Sequence, residues 1–311
     1  MRLCVLLFLL LTSVSARAES VLDRVRQTGT IACAAEARPG FAEFDPRGQM
    51  SGLAVDLCRA VAIAVIGPKA RIRFTVPEAD SAFAVLPAEA DIVFLSTATI
   101  SERGLSSDFI LGPGVFLDPV SVLLPVNSTT TSPTDLAGKT ICLIIGSAAQ
   151  RALEIRLGHI DPPIVRLGFR EDVEMLDAYN VGRCDAAVDD ATRLGEMRRN
   201  GGINRLRSKL LDEPLALTSL WAATPTSDGI WANAVGWLLH ELTAPGPSSP
   251  GDAGPGRSPE TLRANWRAEV ESAVGSYAEM RNRHIGAGSS LKLETWPNAP
   301  WPAGLLTPAE P

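Results

Sequence analysis

Short apolar runs alternate along the chain with longer amphipathic stretches. In the first half, the apolar runs at 30–37 and 91–95 predict strands, and 53–67 predicts a helix because its apolar residues recur at helical spacing up to Gly67. The same patterns predict helices at 21–29 and 81–90 and a strand at 71–78. Strands that alternate with helices are typical of an α/β unit with a largely parallel sheet.

A second series with similar order begins near residue 125. It follows a strand predicted to begin at 120, and comprises strands ending near 146, 169 and 190 and helices at 147–158, 170–184 and 191–201. The chain then returns through an apolar segment at 215–225 and continues into a long helix at 228–243. A Gly-, Pro- and Ser-rich loop at 244–260 and one more helix at 260–283 complete the pattern. Two α/β lobes are therefore expected.

The first eighteen residues have the pattern of a secretory leader. Arg2 precedes an apolar run at 3–11, and small residues follow, ending in Ala16-Arg17-Ala18. The apolar run is too short to span a bilayer comfortably, so we expect cleavage after Ala18 rather than a retained anchor.

Charge and composition narrow the choice of partners. The formal net charge is −6, and removal of Arg2 and Arg17 would leave 27 basic residues against 35 acidic ones. The sequence has no basic block and no alternation of aromatic and basic residues, which argues against a nucleic-acid partner. No later segment has the pattern of a transmembrane helix.

Four cysteines would remain after cleavage, namely Cys33, Cys58, Cys142 and Cys184. An even number in an exported chain favours disulfides, and the spacings match no Cys-x-x-Cys metal pattern. We expect the pairs Cys33–Cys58 and Cys142–Cys184, because each falls within one proposed lobe; two other connectivities remain open. No metal site and no cofactor is expected.

Polar groups follow the predicted strands where ligands bind in open α/β sheets. Arg103 comes shortly after the hydroxyls of Ser96 and Thr97, and a guanidinium with nearby hydroxyls is suited to a carboxylate. The amides at Ser147 and Ala148, where a helix is predicted to begin, would also attract an anion. Asp190, after the strand DAAV, is suited to an ammonium. Together these groups indicate a receptor for a zwitterion.

Longer segments carry a family resemblance. The stretches RQTGTIACAAEARPGFAEFDPRGQMSGLAVDLCRAVAIAV, DLAGKTICLIIGS, DAYNVGRCDAAVDD and SYAEMRNRHIG resemble the periplasmic solute-binding proteins of amino-acid ABC transporters, in particular the general L-amino-acid-binding group. The resemblance covers nearly the whole chain beyond the leader, including the four cysteine positions. It implies the two-lobed type II periplasmic-binding-protein fold, each lobe a mostly parallel sheet flanked by helices, with crossover strands between them.

The resemblance also assigns expected roles. Lobe 1 would comprise 19–122 plus 222–311, and lobe 2 would comprise 123–221. Arg103 would hold the α-carboxylate of the ligand and Asp190 its α-ammonium. The remaining expected ligand-binding residues are Ser96, Thr97, Ala98, Ser147, Ala148 and Phe41.

The function implied is capture of an L-amino acid in the periplasm by a monomer and its delivery to a membrane permease, without catalysis. Two alternatives remain open. One is a degenerate paralogue that acts as a sensing or accessory protein. The other is a periplasmic lyase on the same scaffold, for which the acid would be Asp189, Asp190 or Glu36.

Overall fold

The computed structural model describes residues 20–77, 89–103, 109–200, 207–243 and 259–293, except for the side chains of Glu102 and Arg103. The predicted leader, most of the predicted helix at 81–90 and most of the loop at 244–260 lie outside these residues.

Local sequence signals set the bounds of the first helix, α1 (Val21–Thr28). The hydroxyl of Ser20 accepts the N–H of Asp23 at 3.0 Å, and Gly29 ends the helix with φ 65°, a left-handed conformation that suits glycine. The elements that follow are β1 (Thr30–Ala35), β2 (Glu43–Phe44), β3 (Met50–Ser51), α2 (Leu53–Val65), β4 (Arg71–Thr75), β5 (Ile92–Ser96) and α3 (Thr97–Arg103).

Two long strands, β6 (Phe109–Pro125) and β11 (Ala216–Pro225), connect the two halves of the molecule. The first half comprises the elements before β6 and the helices that follow β11, and the second half comprises the elements between β6 and β11. The two strands pair antiparallel from Ala216 opposite Val120 to Pro225 opposite Phe109. Strand β6 therefore begins well before residue 120, where the sequence pattern places its start. Gly112, Pro113 and Gly114 interrupt the apolar pattern there, but pairing with β11 keeps this part extended.

The second half repeats the alternation of strands and helices. After a short 3₁₀ helix (Pro133–Leu136), its elements are β7 (Thr140–Ile144), α4 (Ala148–Leu157), β8 (Val165–Phe169), α5 (Asp172–Asn180), β9 (Ala186–Asp190), α6 (Ala191–Asn200) and β10 (Ser208–Leu210). These bounds agree with the sequence pattern to within a few residues.

The C-terminal part contains α7 (Gly229–Thr243), α8 (Trp266–Val274) and α9 (Tyr277–His284). The single helix predicted at 260–283 is thus wrong: it begins later and is divided in two. Gly275 adopts φ 87° and ends α8, and Ser276 starts α9 by accepting the N–H of Glu279. A glycine at positive φ next to a good N-cap residue favours this break.

Nine of the eleven strands in the described residues form one sheet in the order β4-β1-β5-β11-β6-β9-β7-β8, with β10 also paired to β6, and β2 and β3 form a separate two-stranded antiparallel sheet. The pairs among β4, β1 and β5 and among β9, β7 and β8 are parallel, and those that involve β6, β10 or β11 are antiparallel. The predicted α/β class with a mostly parallel sheet is confirmed. The lobe boundaries at 122 and 222 stay a prediction.

Helix α2 lies at the centre of the first half. Arg59 is its one exposed residue, and all the others are buried. A helix that is apolar almost all round must be covered on most sides. Strand β1 and the helices α7, α8 and α9 provide that cover.

Each half contains one disulfide. Cys33 of β1 is bonded to Cys58 of α2 with a Cα–Cα distance of 6.3 Å, and Cys142 of β7 is bonded to Cys184 at 5.7 Å. Both distances lie in the range that disulfides span. The expected pairing is confirmed.

Candidate functional site

A cleft of about 570 Å³ lies where the carboxyl ends of strands from both halves meet. This is the usual ligand position in open α/β sheets, and the volume is typical of a small-molecule site. Its lining residues include Glu36, Arg38, Ser96, Ala98, Thr99, Gly146, Ser147, Ala148, Ala149, Asp172, Asp189, Asp190 and Arg193.

Glu36 and Ser96 form part of the wall from the first half. The backbone N–H of Ser96 donates to Oε1 of Glu36 at 3.0 Å, which fixes the carboxylate across the ends of β1 and β5. The Ser96 hydroxyl accepts the N–H of Thr99 at 3.2 Å and so starts α3. Ser96 is 2% exposed, so this hydroxyl is a structural cap at the base of the cleft.

The start of α4 forms part of the facing wall. Gly146 makes the turn with φ 78°, and the hydroxyl of Ser147 accepts the N–H of Gln150 at 3.0 Å. The amides of Ala148 and Ala149, in the first turn, have no acceptor within the helix. Both residues line the cleft. With the helix dipole, these amides make this wall favourable for a carboxylate.

Arg38 connects the two halves at the base of the cleft. Its Nη1 donates to Oδ2 of Asp118, on β6, and to Oδ2 of Asp190, at the end of β9, both at 2.7 Å. Two hydroxyls complete the network: Thr192 donates to Asp118, and Thr218 donates to Oδ1 of Asp190 at 3.1 Å. All five residues are buried, so water does not screen these charges.

Burial and charge shift two pKa values in this network. Burial alone would lower the pKa of Arg38, but the carboxylates of Asp190 and Asp118 outweigh it and raise that pKa. Burial, and then the charge of Asp190, raise the pKa of Asp118. The three groups carry one positive and two negative charges when all are ionised. Without the guanidinium, two buried carboxylates would lie close together with no cation to offset their repulsion.

Asp189 is a second buried carboxylate in the cleft. It is 5% exposed, and its Oδ1 accepts the backbone N–H of Asp190 at 2.8 Å. Burial, together with the charge of Asp190, raises the pKa of Asp189 to about 7. Its charge therefore changes near neutral pH.

The charges of Asp172 and Arg193 largely offset each other at the rim. Nη1 of Arg193 lies 3.1 Å from Oδ2 of Asp172, and the side chains are 37% and 50% exposed. Water screens this pair, so it contributes little to stability.

Comparisons with known proteins find similar sequences that cover nearly the whole chain. The putative amino-acid ABC transporter-binding protein YhdW of Escherichia coli (strain K12) is 25% identical over 326 residues, covering 97% of this chain and 95% of that protein. The general L-amino acid-binding periplasmic protein AapJ of Rhizobium johnstonii is 26% identical over 324 residues, covering 96% and 94%. Over nearly its whole length, this chain is similar to proteins that are named as amino-acid-binding proteins of ABC transporters. The resemblance seen in the sequence is thereby confirmed, although no family model matches.

A solved structure shows the same similarity. The ABC transporter/periplasmic binding protein from Brucella ovis with glutathione bound superposes with a TM-score of 0.73 at 25% identity, covering 93% of this chain and 98% of that one. The Brucella ovis protein, YhdW and AapJ are all named as binding proteins rather than as enzymes.

Five of the ligand-binding residues expected from the sequence line the cleft together: Ser96, Ala98, Ser147, Ala148 and Asp190. Arg103 is the last residue of α3, and its side chain lies outside the described part of the chain. The expected roles of all six stay predictions.

Thr97 and Phe41 are not among the residues that line the cleft, and the role expected for Thr97 stays a prediction. The Thr97 hydroxyl faces β11, where it accepts hydrogen bonds from the indole of Trp221 at 3.2 Å and the N–H of Ser219 at 3.3 Å. Phe41 is fully buried, with its ring centroid 6.0 Å from that of Phe94 and 6.1 Å from that of Phe116. Phe41, which the resemblance names as a ligand-binding residue, thus packs in the core of the first half.

Sequence reasoning missed the roles of Arg38 and Asp118. Each leaves a local signal: Arg38 directly follows the first strand, and Asp118 is a single carboxylate inside the strand segment VFLDPV. A charge within an otherwise apolar strand needs a partner, which could have prompted a search for a cation. The sequence does not say which cation that is.

The described ranges contain no arrangement of three or more His, Cys, Asp or Glu side chains that could hold a metal ion. None of the helices in these ranges combines the length and apolar character that a bilayer-crossing segment requires.

Proposed function

We propose that the protein is a periplasmic receptor that binds an L-amino acid in the cleft between its two halves and delivers it to an ABC-transporter permease. The observation that carries this proposal is the pairing of opposite chemistries in one cleft. The first turn of α4 favours a carboxylate, and the buried carboxylate of Asp189 favours an ammonium. Sequence similarity along nearly the whole chain supports the same function.

Binding would favour a closed arrangement of the two halves. The walls of the cleft come from different halves, which are joined by β6 and β11. A ligand that contacts both walls binds the closed form more tightly and therefore shifts the population towards it. The permease would recognise this closed form. We expect the receptor to act as a monomer, which light scattering of the purified protein would test.

Export by a cleaved leader belongs to the same proposal. The two disulfides favour an oxidising compartment, and AapJ is described as a periplasmic protein. Mass spectrometry of the protein from the periplasmic fraction should give a chain that begins at Glu19. A chain that retains residues 1–18 would contradict cleavage.

Amino-acid binding can be tested by thermal unfolding with each of the common L-amino acids. At a concentration of one hundred times Kd, a ligand stabilises the native state by about 2.7 kcal/mol, which should raise Tm by roughly 5–10 °C. Calorimetry then gives Kd for the amino acids that shift Tm, and the D-enantiomers serve as matched controls.

The outcomes separate the alternatives. A response to no amino acid would contradict the receptor and favour an accessory protein. Conversion of a cyclic carboxylic acid by the purified protein would instead support a lyase, with Asp189 as the candidate acid because of its raised pKa.

A further inference from the structure

The carboxylate of Asp190 is already occupied by groups of the protein itself. Oδ2 accepts Nη1 of Arg38 at 2.7 Å, and Oδ1 accepts the hydroxyl of Thr218 at 3.1 Å. Asp190 is 6% exposed. An incoming ammonium would have to displace a buried guanidinium that also stabilises Asp118, which would leave that carboxylate without its cation.

Asp189 is free to bind a cation. It lines the same cleft, and within the described ranges its only hydrogen-bond donor is the backbone N–H of Asp190, at Oδ1. Asp189 is 5% exposed, and the one hydrogen bond to its carboxylate in that part of the chain is at Oδ1 rather than Oδ2. A largely buried carboxylate that accepts few hydrogen bonds is poorly compensated for the hydration it has lost, and a ligand cation in the cleft would compensate it.

The remaining charges of the cleft are unbalanced. Two arginines line the cleft, and both already form ion pairs: Arg38 with Asp118 and Asp190, and Arg193 with Asp172. Asp189 and Glu36 then remain, and neither forms an ion pair with a cation in the described part of the chain. Glu36 accepts one backbone N–H, from Ser96.

We propose that Arg38 is an internal counter-ion for Asp190, and that Asp189, with Glu36 on the facing wall, binds the cationic groups of a basic amino acid. The inference rests on the proposed receptor function and names its ligand class. A basic amino acid has two cationic groups, which match the carboxylates of Asp189 and Glu36. Its own α-carboxylate matches the free amides in the first turn of α4. A neutral amino acid would leave one of the two protein carboxylates unmatched.

The charge of Asp189 makes binding dependent on pH. The groups that act on it are Asp190 beside it on β9, Arg193 from α6 and Asp172 from α5, while Glu36 and Arg38 line the same cleft. Since its pKa is raised to about 7, the carboxylate is mostly protonated at pH 6 and mostly ionised at pH 8. Both ammonium groups of free L-lysine stay mostly protonated over this range, so a change in its affinity reports mainly on the protein.

The experiment is calorimetry with L-lysine, L-leucine and L-glutamate as probes. At pH 8 the protein should bind L-lysine most tightly, and Asp189→Asn and Glu36→Gln should each weaken that binding about 10- to 100-fold. Glu174→Gln, which removes an exposed carboxylate of α5, is the control with the same charge change and should leave Kd unaltered. For the unmodified protein, Kd should rise about tenfold per pH unit below 7, and Asp189→Asn should lose most of this dependence.

A second variant tests the role of Arg38. Arg38→Met removes the internal cation, so Asp190 becomes available to an α-ammonium, and affinity for L-leucine should increase about tenfold. Circular dichroism establishes that each variant is folded.

Two outcomes would overturn the inference and leave the receptor function standing. One is lysine binding that Asp189→Asn leaves unchanged, and the other is tighter binding of L-leucine or L-glutamate than of L-lysine. A lack of binding to every amino acid would instead overturn the receptor function, and the inference with it.

Discussion

Arg38 shows how one residue gains its role from partners that are distant in sequence. Its two carboxylate partners are 80 and 152 positions away, one on the crossover strand β6 and one at the end of β9. A guanidinium suits this position because it stays charged when buried. The same contacts remove Asp190 from the set of free carboxylates and leave Asp189 beside it as the available anion.

Arg103→Ala tests the carboxylate clamp that the family resemblance implies. The variant should fold normally and lose affinity for every amino acid that the protein binds, by about 10- to 100-fold, because one charge-assisted pair to the α-carboxylate is gone. Calorimetry measures the change, and Arg47→Ala, at an exposed position of the loop between β2 and β3, is the matched control. Undiminished affinity would remove Arg103 from the site.

At the scale of elements, an ion-pair cluster attaches α9 to α2. Oδ2 of Asp56, on α2, lies 2.6 Å from Nη2 of Arg283 and 2.6 Å from Nε2 of His284. Burial alone would raise the pKa of Asp56, but the hydrogen bonds from His284 and Arg283 outweigh it and lower that pKa. The break at Gly275 allows α9 to turn back and present these side chains to α2.

Asp56→Asn should reduce the free energy of unfolding at pH 7 by about 1–3 kcal/mol, because hydrogen bonds to a charged group are lost. Since the folded-state pKa lies below the unfolded value of about 3.9, the contribution is present above that pH and is lost as the pH falls through the folded-state pKa. Urea unfolding at pH 7 and pH 3 measures this.

Asp177→Asn, on the exposed side of α5, is the control and should have little effect at either pH. A difference between the Asp56 variant and the unmodified protein that is as large at pH 3 as at pH 7 would show that the carboxylate charge is not responsible.

On the scale of the whole molecule, each half contains a covalent link and the cleft between the halves contains none. Cys33–Cys58 joins β1 to α2, and Cys142–Cys184 joins β7 to the turn before β9. The disulfides therefore stabilise each half internally, while the two halves are connected by β6 and β11. This arrangement is compatible with movement of one half against the other around a ligand.

The exported protein, unfolded without reductant, should show no thiol that reacts with a thiol reagent, and four after reduction. With loops of 25 and 42 residues, each disulfide should contribute about 3–4 kcal/mol to stability. Unfolding with and without reductant measures that contribution. Two or more reactive thiols in the unreduced protein would contradict the pairing.

The sequence alone determined most of the order of strands and helices in the two α/β units, and it favoured the observed cysteine pairs over two other connectivities. These depend on apolar periodicity, caps and spacing, which act over a few residues or recur along the chain. Polar residues after the predicted strands indicated which strand ends form the cleft, and the resemblance to a known family assigned roles to them. Several of the expected site residues, such as Ser147 and Asp190, do lie there.

Only the tertiary structure decided which charges in that cleft are free. Asp189 and Asp190 are neighbours with the same side chain, and no local pattern distinguishes them. The carboxylate of Asp190 accepts hydrogen bonds from Arg38 and Thr218, whereas that of Asp189 accepts one, from a backbone amide, in the described part of the chain. The physical reason is that the interaction energy of a charged group, and whether it is free to bind a ligand, depend on its burial and on partners from distant elements. These partners come together only when the chain folds.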